Sequence, residues 1–147
     1  MPIQGRCHCG NIAFTYQLEP EPAEIPARAC GCSFCVKHGG VWTSNPQAAL
    51  RVTVQRPEEV TRYAFGTRTA DFHVCTRCGV VPLVTSRIEG RLYAVVNVNA
   101  FEGVAAARLE RSAADFEGEG EGTRLARRAR NWIARVEFAA AGGVSQR

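Results

Sequence analysis

No stretch of this chain approaches the ~18 uninterrupted apolar residues that a membrane-spanning helix requires. The opening residues, Met1-Pro2-Ile3-Gln4-Gly5-Arg6, lack the apolar centre of a secretory signal. These two absences set the expectation of a cytoplasmic protein with no membrane partner. Lysine is almost missing as well, Lys37 being the only one. The arginines are dispersed, with no run that would track a phosphate backbone, so nucleic acid is not an expected partner. A strong charge of either sign is equally absent. The formal net charge of +4 counts every thiol as neutral; with seven thiolates on two Zn²⁺ ions it falls to about +1.

An even cysteine count, usual in a secreted disulfide framework, is also lacking: there are seven. They are spaced C-x-C, C-x-C-x-x-C and C-x-x-C. Cysteines one residue apart rarely meet the Cα and Cβ separations of a disulfide. In a reducing compartment such clusters are metal ligands. With 147 residues, 46% hydrophobic and 22% charged, the rest of the chain has the length and composition of one globular domain.

Short strands dominate the pattern. Residues 4–17 predict a hairpin whose second strand is Ile12 to Tyr16, and residues 18–28, with Pro20, Pro22 and Pro26, predict an extended connector. The segment from Cys30 to Gly40 reads as loop. Strands are expected at Val41 to Thr43, Leu50 to Gln55, Val60 to Phe65, Asp71 to Cys75, Val80 to Ser86 and Leu92 to Val98, with turns at Gly66 and at Glu89-Gly90. Glu117 to Gly122 alternates Glu and Gly as an acidic linker. Beyond it Thr123 is a candidate helix cap. Leu125, Ala129, Trp132, Ile133 and Val136 then fall on one helical face, with Arg124, Arg127, Arg128 and Arg135 largely off it. The expected organisation is a zinc domain at 1–116, a linker at 117–122, and a C-terminal helix and tail at 123–147 packed on the domain, with Ala139 to Arg147 frayed.

The cysteine clusters are unequal. Cys7-His8-Cys9-Gly10 and Cys75-Thr76-Arg77-Cys78-Gly79 each end on glycine, which reaches the positive φ of a metal knuckle freely. Together they offer four thiolates, and a structural zinc is almost always four-coordinate. Cys30-Gly31-Cys32-Ser33-Phe34-Cys35 offers three sulfurs and is followed by Val36. Three protein ligands leave a tetrahedral ion one position short, as in open, reactive sites. A thiolate from solution is a natural fourth ligand, being as soft as its neighbours. An alternative stands beside this: His8 or His38 completes the triplet and both zincs are structural. His73 reads as a hydrogen-bonded strand residue, and Cys75-x-x-Cys78 lacks the βαβ context of a redox pair.

The order of these elements resembles the family of glutathione-dependent formaldehyde-activating enzymes, which also contains centromere-protein-V-like proteins. The resemblance rests on Gly5 to Phe14, Cys30 to Cys35 and Phe72 to Gly79, and spans roughly residues 4–112. It implies a mostly β tent of packed antiparallel sheets. It implies a structural zinc on Cys7, Cys9, Cys75 and Cys78, and a catalytic zinc on Cys30, Cys32 and Cys35. The implied reaction joins glutathione and formaldehyde as a carbon–sulfur lyase, with Lys37 and His38 as candidates for proton supply or for binding a glutathione carboxylate. The expected partners are therefore a small thiol and a small aldehyde, and a homo-oligomer is compatible with them. Two further readings remain open: a zinc-stabilised binding module that uses the basic Arg124–Arg135 helix as its contact surface, and a redox sensor at the triplet.

Overall fold

Apolar residues alternate with polar ones along most strands, and this alternation builds two sheets. In the computed structural model, which describes residues 2–140 and 145–146, the chain begins β1 (Ile3–Arg6), β2 (Ile12–Gln17), β3 (Ile25–Cys30), α1 (Ser33–His38), β4 (Val41–Thr43) and β5 (Ala49–Val54). It continues through β6 (Val60–Tyr63), β7 (Asp71–Cys75), β8 (Leu83–Ile88), β9 (Arg91–Asn97), β10 (Phe101–Glu102) and β11 (Leu109–Ala114). It closes with α2 (Glu121–Asn131), β12 (Arg135–Ala140) and β13 (Ser145–Gln146). One sheet has the order β10-β1-β2-β5-β12-β13, the other β11-β3-β4-β9-β8-β7-β6. The fold is mostly β, as expected from the strand pattern and the resemblance. Most neighbours are antiparallel; β12 with β5 and β11 with β3 are parallel, which their long intervening crossovers permit.

Ile12, Phe14 and Tyr16 of β2 and Leu50, Val52 and Val54 of β5 pack with Leu83, Ala94 and Val96 of the second sheet to form the main core. The intervening Val84 and Val95 turn to the other face of that sheet, where they join Trp42, Phe72 and Trp132 in a separate cluster. The second sheet is therefore covered on both sides, and its outer side carries the candidate site. The turn at Glu89-Gly90 has positive φ at both residues, the geometry of a tight two-residue hairpin.

Three local expectations are corrected. Cys30 to Gly40 is not all loop: Cys32 caps α1, its sulfur accepting the Cys35 N–H, and Gly39 ends the helix in the left-handed conformation. The C-terminal helix is shorter than the apolar stripe suggests. It starts after Gly120, not Thr123, and stops at Asn131, with Trp132 already extended. Ile133 instead bridges Ala94 of β9, and Arg135–Ala140 joins β5 as a strand. Arg-Val-Glu-Phe alternates with period two, and pairing with β5 satisfies its backbone where a longer helix would not. Burying Ile133 completely contributes about 1.5–3 kcal/mol and pins this crossing between the sheets. The segment expected to fray begins with Ala139, which is buried in β12, and Ser145–Gln146 pairs back on that strand. Residues 141–144 and 147 lie outside the described residues.

Candidate metal centres and pocket

The β1–β2 and β7–β8 turns have the same closure. Cys7 donates its N–H to the Ile12 carbonyl and accepts from Gly10 N–H, while Cys75 donates to Val80 and accepts from Gly79 N–H. Gly10 and Gly79 have φ of 87° and 82°, the left-handed geometry expected after each pair. One turn belongs to each sheet, so bringing them together ties the sheets at one end. The sulfurs of Cys7, Cys9, Cys75 and Cys78 all lie within 4.8 Å of one another. Cys7 to Cys9 is 3.8 Å and Cys9 to Cys75 is 3.5 Å. A tetrahedral Zn–S bond of about 2.3 Å places neighbouring sulfurs about 3.8 Å apart, so the set fits zinc. All seven thiols are free, against the disulfide reading.

The second cluster is built by β3 and α1. Cys30 ends the strand, Cys32 caps the helix, and Cys35 is buried one turn on. Their sulfurs also lie within 4.8 Å of one another, and among the described residues no histidine or carboxylate joins them. His8 is exposed. His38 is half-buried against Phe34 and Trp42, and burial holds its pKa below the ordinary histidine value. Its Nε2 has no hydrogen-bond partner among the described residues. Lys37 is exposed on the last turn of α1. Gly40 explains the approach of Trp42: a Cβ there would lie 2.6 Å from the indole. The freed space lets Trp42 Nε1 donate to Cys35 Sγ at 3.4 Å.

The thiols are tuned against one another. Hydrogen bonding from Cys35, opposed by burial and helped by the Cys32 amide, brings Cys30 down to about 6. The same bond to Cys30, with burial, pushes Cys35 up. In the other cluster, burial raises Cys7 to about 12. For Cys78 burial also raises, but the amides of Val80 and Cys9 and the thiols of Cys75 and Cys7 outweigh it and bring the group to about 6. A dication bound at either cluster would displace the remaining thiol protons.

Cys30 and Cys32 open into a cavity of about 930 Å³ on the outer face of the second sheet. Its apolar floor is Trp42, Phe72, Val84 and Val95; its roof is α2 and the 114–119 segment. Neither Lys37 nor His38 lines it. The groups that the sequence reading missed are the arginines of α2. Arg128 is only 7% exposed, and Arg124 and Arg127 are half-buried. Of the four arginines expected off the packing stripe, Arg124, Arg127 and Arg128 line the pocket and Arg135 does not. The i, i+4 spacing of Arg124 and Arg128 was the available signal.

The family profile of glutathione-dependent formaldehyde-activating enzymes matches residues 2–117. The chain belongs to that family. A solved protein from Rhodobacter sphaeroides is 33% identical to it, with a TM-score of 0.53, over 74% of this chain and 99% of its own length. No curated protein matches the chain significantly. In this glutathione-dependent formaldehyde-activating enzyme family member both cysteine clusters fall inside the matched region, whereas α2 and β12 lie beyond its end at Glu117.

Proposed function

We propose that this protein is a zinc-dependent carbon–sulfur lyase that adds a thiol, glutathione or a similar one, to formaldehyde or another small aldehyde. In this reading Cys7, Cys9, Cys75 and Cys78 hold a structural zinc, and Cys30, Cys32 and Cys35 a catalytic one. Residues 1–116 are the zinc domain, 117–122 the linker, and 123–147 the C-terminal segment packed on the domain, of which Arg124, Arg127, Arg128, Asn131 and Trp132 line the pocket. The observation that carries it is a three-sulfur cluster, with no fourth protein ligand among the described residues, opening into a cavity of small-molecule size.

Bound at the triplet, zinc would keep the incoming thiol as its nucleophilic thiolate at neutral pH. The chain's own residues do the rest. Trp42, Phe72, Val84 and Val95 give the thiol's carbon chain an apolar bed and exclude water from it. Trp42 Nε1–H and the Cys35 amide hold the sulfurs of Cys35 and Cys32 in place. The sulfur lone pair forms the new C–S bond, the carbonyl π pair moves to oxygen, and the proton lost by the thiol ends on that oxygen. No oxidant or reductant is needed. Lys37 and His38, the candidates for proton supply, stand off the pocket wall, so the proton is exchanged with water at the pocket mouth.

The test is exchange NMR of glutathione with formaldehyde. The protein is expected to accelerate adduct formation, and Cys32→Ser to remove the acceleration while leaving the fold intact. Equal rates with parent, Cys32→Ser and no protein would refute the assignment. The binding-module reading has less support, because Arg124, Arg127 and Arg128 point into the pocket and leave Arg130 and Arg135 as the exposed basic residues of that segment.

A further inference from the structure

The walls of the pocket hold four guanidiniums: Arg28, Arg124, Arg127 and Arg128. Their partners differ sharply. Arg127 stacks its Cζ 3.6 Å over the Phe116 ring and makes a two-pronged bond to Glu119, with its Nη2 at 3.0 Å and its Nε at 3.1 Å from the carboxylate oxygens. Its charge is matched. Among the described residues, no carboxylate lies within ion-pair distance of the other three.

Arg128 is the extreme case. It is 7% exposed, its Nη1 donates to the Thr69 carbonyl and hydroxyl and to Ser86 Oγ, its Cζ lies 5.0 Å from the Trp132 ring centroid, and its Nε has no hydrogen-bond partner among the described residues. Its Nη2 makes no hydrogen bond with any described residue. Arg124 gives Nη2 to the carbonyls of Phe116 and Glu119, and its buried Nε has no hydrogen-bond partner among the described residues. Arg28 gives Nη2 to Ser44 Oγ, which in turn donates to the Asn131 carbonyl at the end of α2. Every one of these acceptors is neutral. Burial, with the neighbouring Arg124 and Arg127, outweighs the opposing effect of Glu119 and draws the Arg128 pKa down to about 10, the direction expected of a cation without a close counter-ion.

A buried charge is normally paired, because removing it from water is expensive. Three cations facing one cavity without a matching carboxylate therefore describe a site whose anion comes from solution. The remaining acid on the wall, Glu117, is exposed and accepts from the Ser33 N–H, away from this set. Position on the strand supplies the scale. Arg28 and Cys30 are two apart on β3, so their side chains leave the same face about 7 Å apart. A molecule that reaches both must carry its anionic group several bonds from the atom delivered to the cysteines.

We propose that Arg28, Arg124 and Arg128 form an oxyanion subsite in the pocket that opens on Cys30 and Cys32, and that the substrate is selected by a carboxylate or phosphate seated there. The proposal rests on the reading of the triplet as the reaction centre. Two of its three residues belong to α2, beyond the part of the chain that matches the family profile. Specificity is thus set by a segment added to the catalytic framework.

The test uses ligands that cannot act as thiols, so that it stands apart from metal ligation. Calorimetry of the zinc-loaded full chain is run with S-methylglutathione, its diethyl ester, and inorganic phosphate. The acid or phosphate is expected to bind at least tenfold more tightly than the ester, and the tighter of the two names the oxyanion. Arg128→Met and Arg124→Met are each expected to lower that affinity at least tenfold with two zinc ions retained per chain. Equal binding of acid and ester, with no binding of phosphate, overturns the subsite even if a variant fails to fold, since that comparison needs only the parent. Anion binding that is unchanged in both variants also overturns it. A failure of thiol addition with this discrimination intact would instead contradict the reaction assigned to the triplet and leave the subsite standing.

Discussion

A single sulfur means different things in the two clusters. Cys75 is fully buried and its knuckle is one of the two that tie the sheets; on the proposed reading, Cys75→Ser removes a structural-zinc ligand. Structural zinc contributes about 10–16 kcal/mol of apparent binding free energy in small zinc peptides, more than most domains have in total stability. We therefore expect Cys75→Ser to lose cooperative thermal unfolding, while Cys32→Ser keeps it and loses about one of two zinc ions per chain, as read by metal analysis and calorimetry. Equal damage from both substitutions would contradict the division. Trp42 offers a finer test. Trp42→Phe keeps an aromatic ring on the Gly40 backbone but deletes the N–H bond to Cys35. A loss of about 1 kcal/mol in denaturant unfolding is expected, the ordinary net worth of one hydrogen bond. No change would mean that the indole serves only as a wall.

At the scale of elements, α2 is held by an unusual balance. Its Arg127–Glu119 pair is 15% exposed on each side, and the arginine holds the Glu119 carboxyl below its ordinary range. A lowered carboxyl pKa stabilises the fold above the unfolded value near 4.5 and ceases to do so as pH falls through the folded value. Glu119→Gln should accordingly flatten the acid limb of the Tm–pH curve below about pH 4.5 and leave the neutral fold in place. Arg128 runs the other way. Replacing a buried, unpaired charge by an apolar side chain of similar length is often neutral or stabilising. The ligand-free Arg128→Met protein is expected to unfold at the parent's Tm or above it, and a Tm several degrees lower would assign Arg128 to structure.

The same helix shows where the sequence stopped being legible. The stripe Leu125, Ala129, Trp132, Ile133 and Val136 fits a 3.6-residue period, but Val136 and Phe138 also fit a two-residue period, alternating with the exposed Arg135 and Glu137. The open edge of β5, a long-range partner, decides between the two. Propensity cannot see a parallel neighbour some eighty positions earlier, and β11 beside β3 was missed for the same reason. The antiparallel strands joined by short turns were readable because their partners are local. The cysteine clusters were readable because ligand spacing is local, as is the glycine that follows each of the pairs Cys7/Cys9 and Cys75/Cys78.

For the whole molecule, the two clusters divide the labour of the fold. The four-sulfur cluster closes one end of the sheet pair, and the three-sulfur cluster stands at the pocket on the outer face of the second sheet. No helix among the described residues is long and apolar enough to cross a membrane. The pocket's chemical reach was hidden from the sequence because its walls come from distant segments: β3, β4, the 65–72 region and α2 meet only after folding. The central claim is that the triplet binds its metal with one position left for a thiol. Cobalt substitution measures this directly through its ligand-field bands, titrated with glutathione in the parent and in Cys32→Ser. The account predicts a saturable, glutathione-dependent change in the bands of one of two cobalt ions, absent from the variant; bands that stay the same at every glutathione concentration would contradict it.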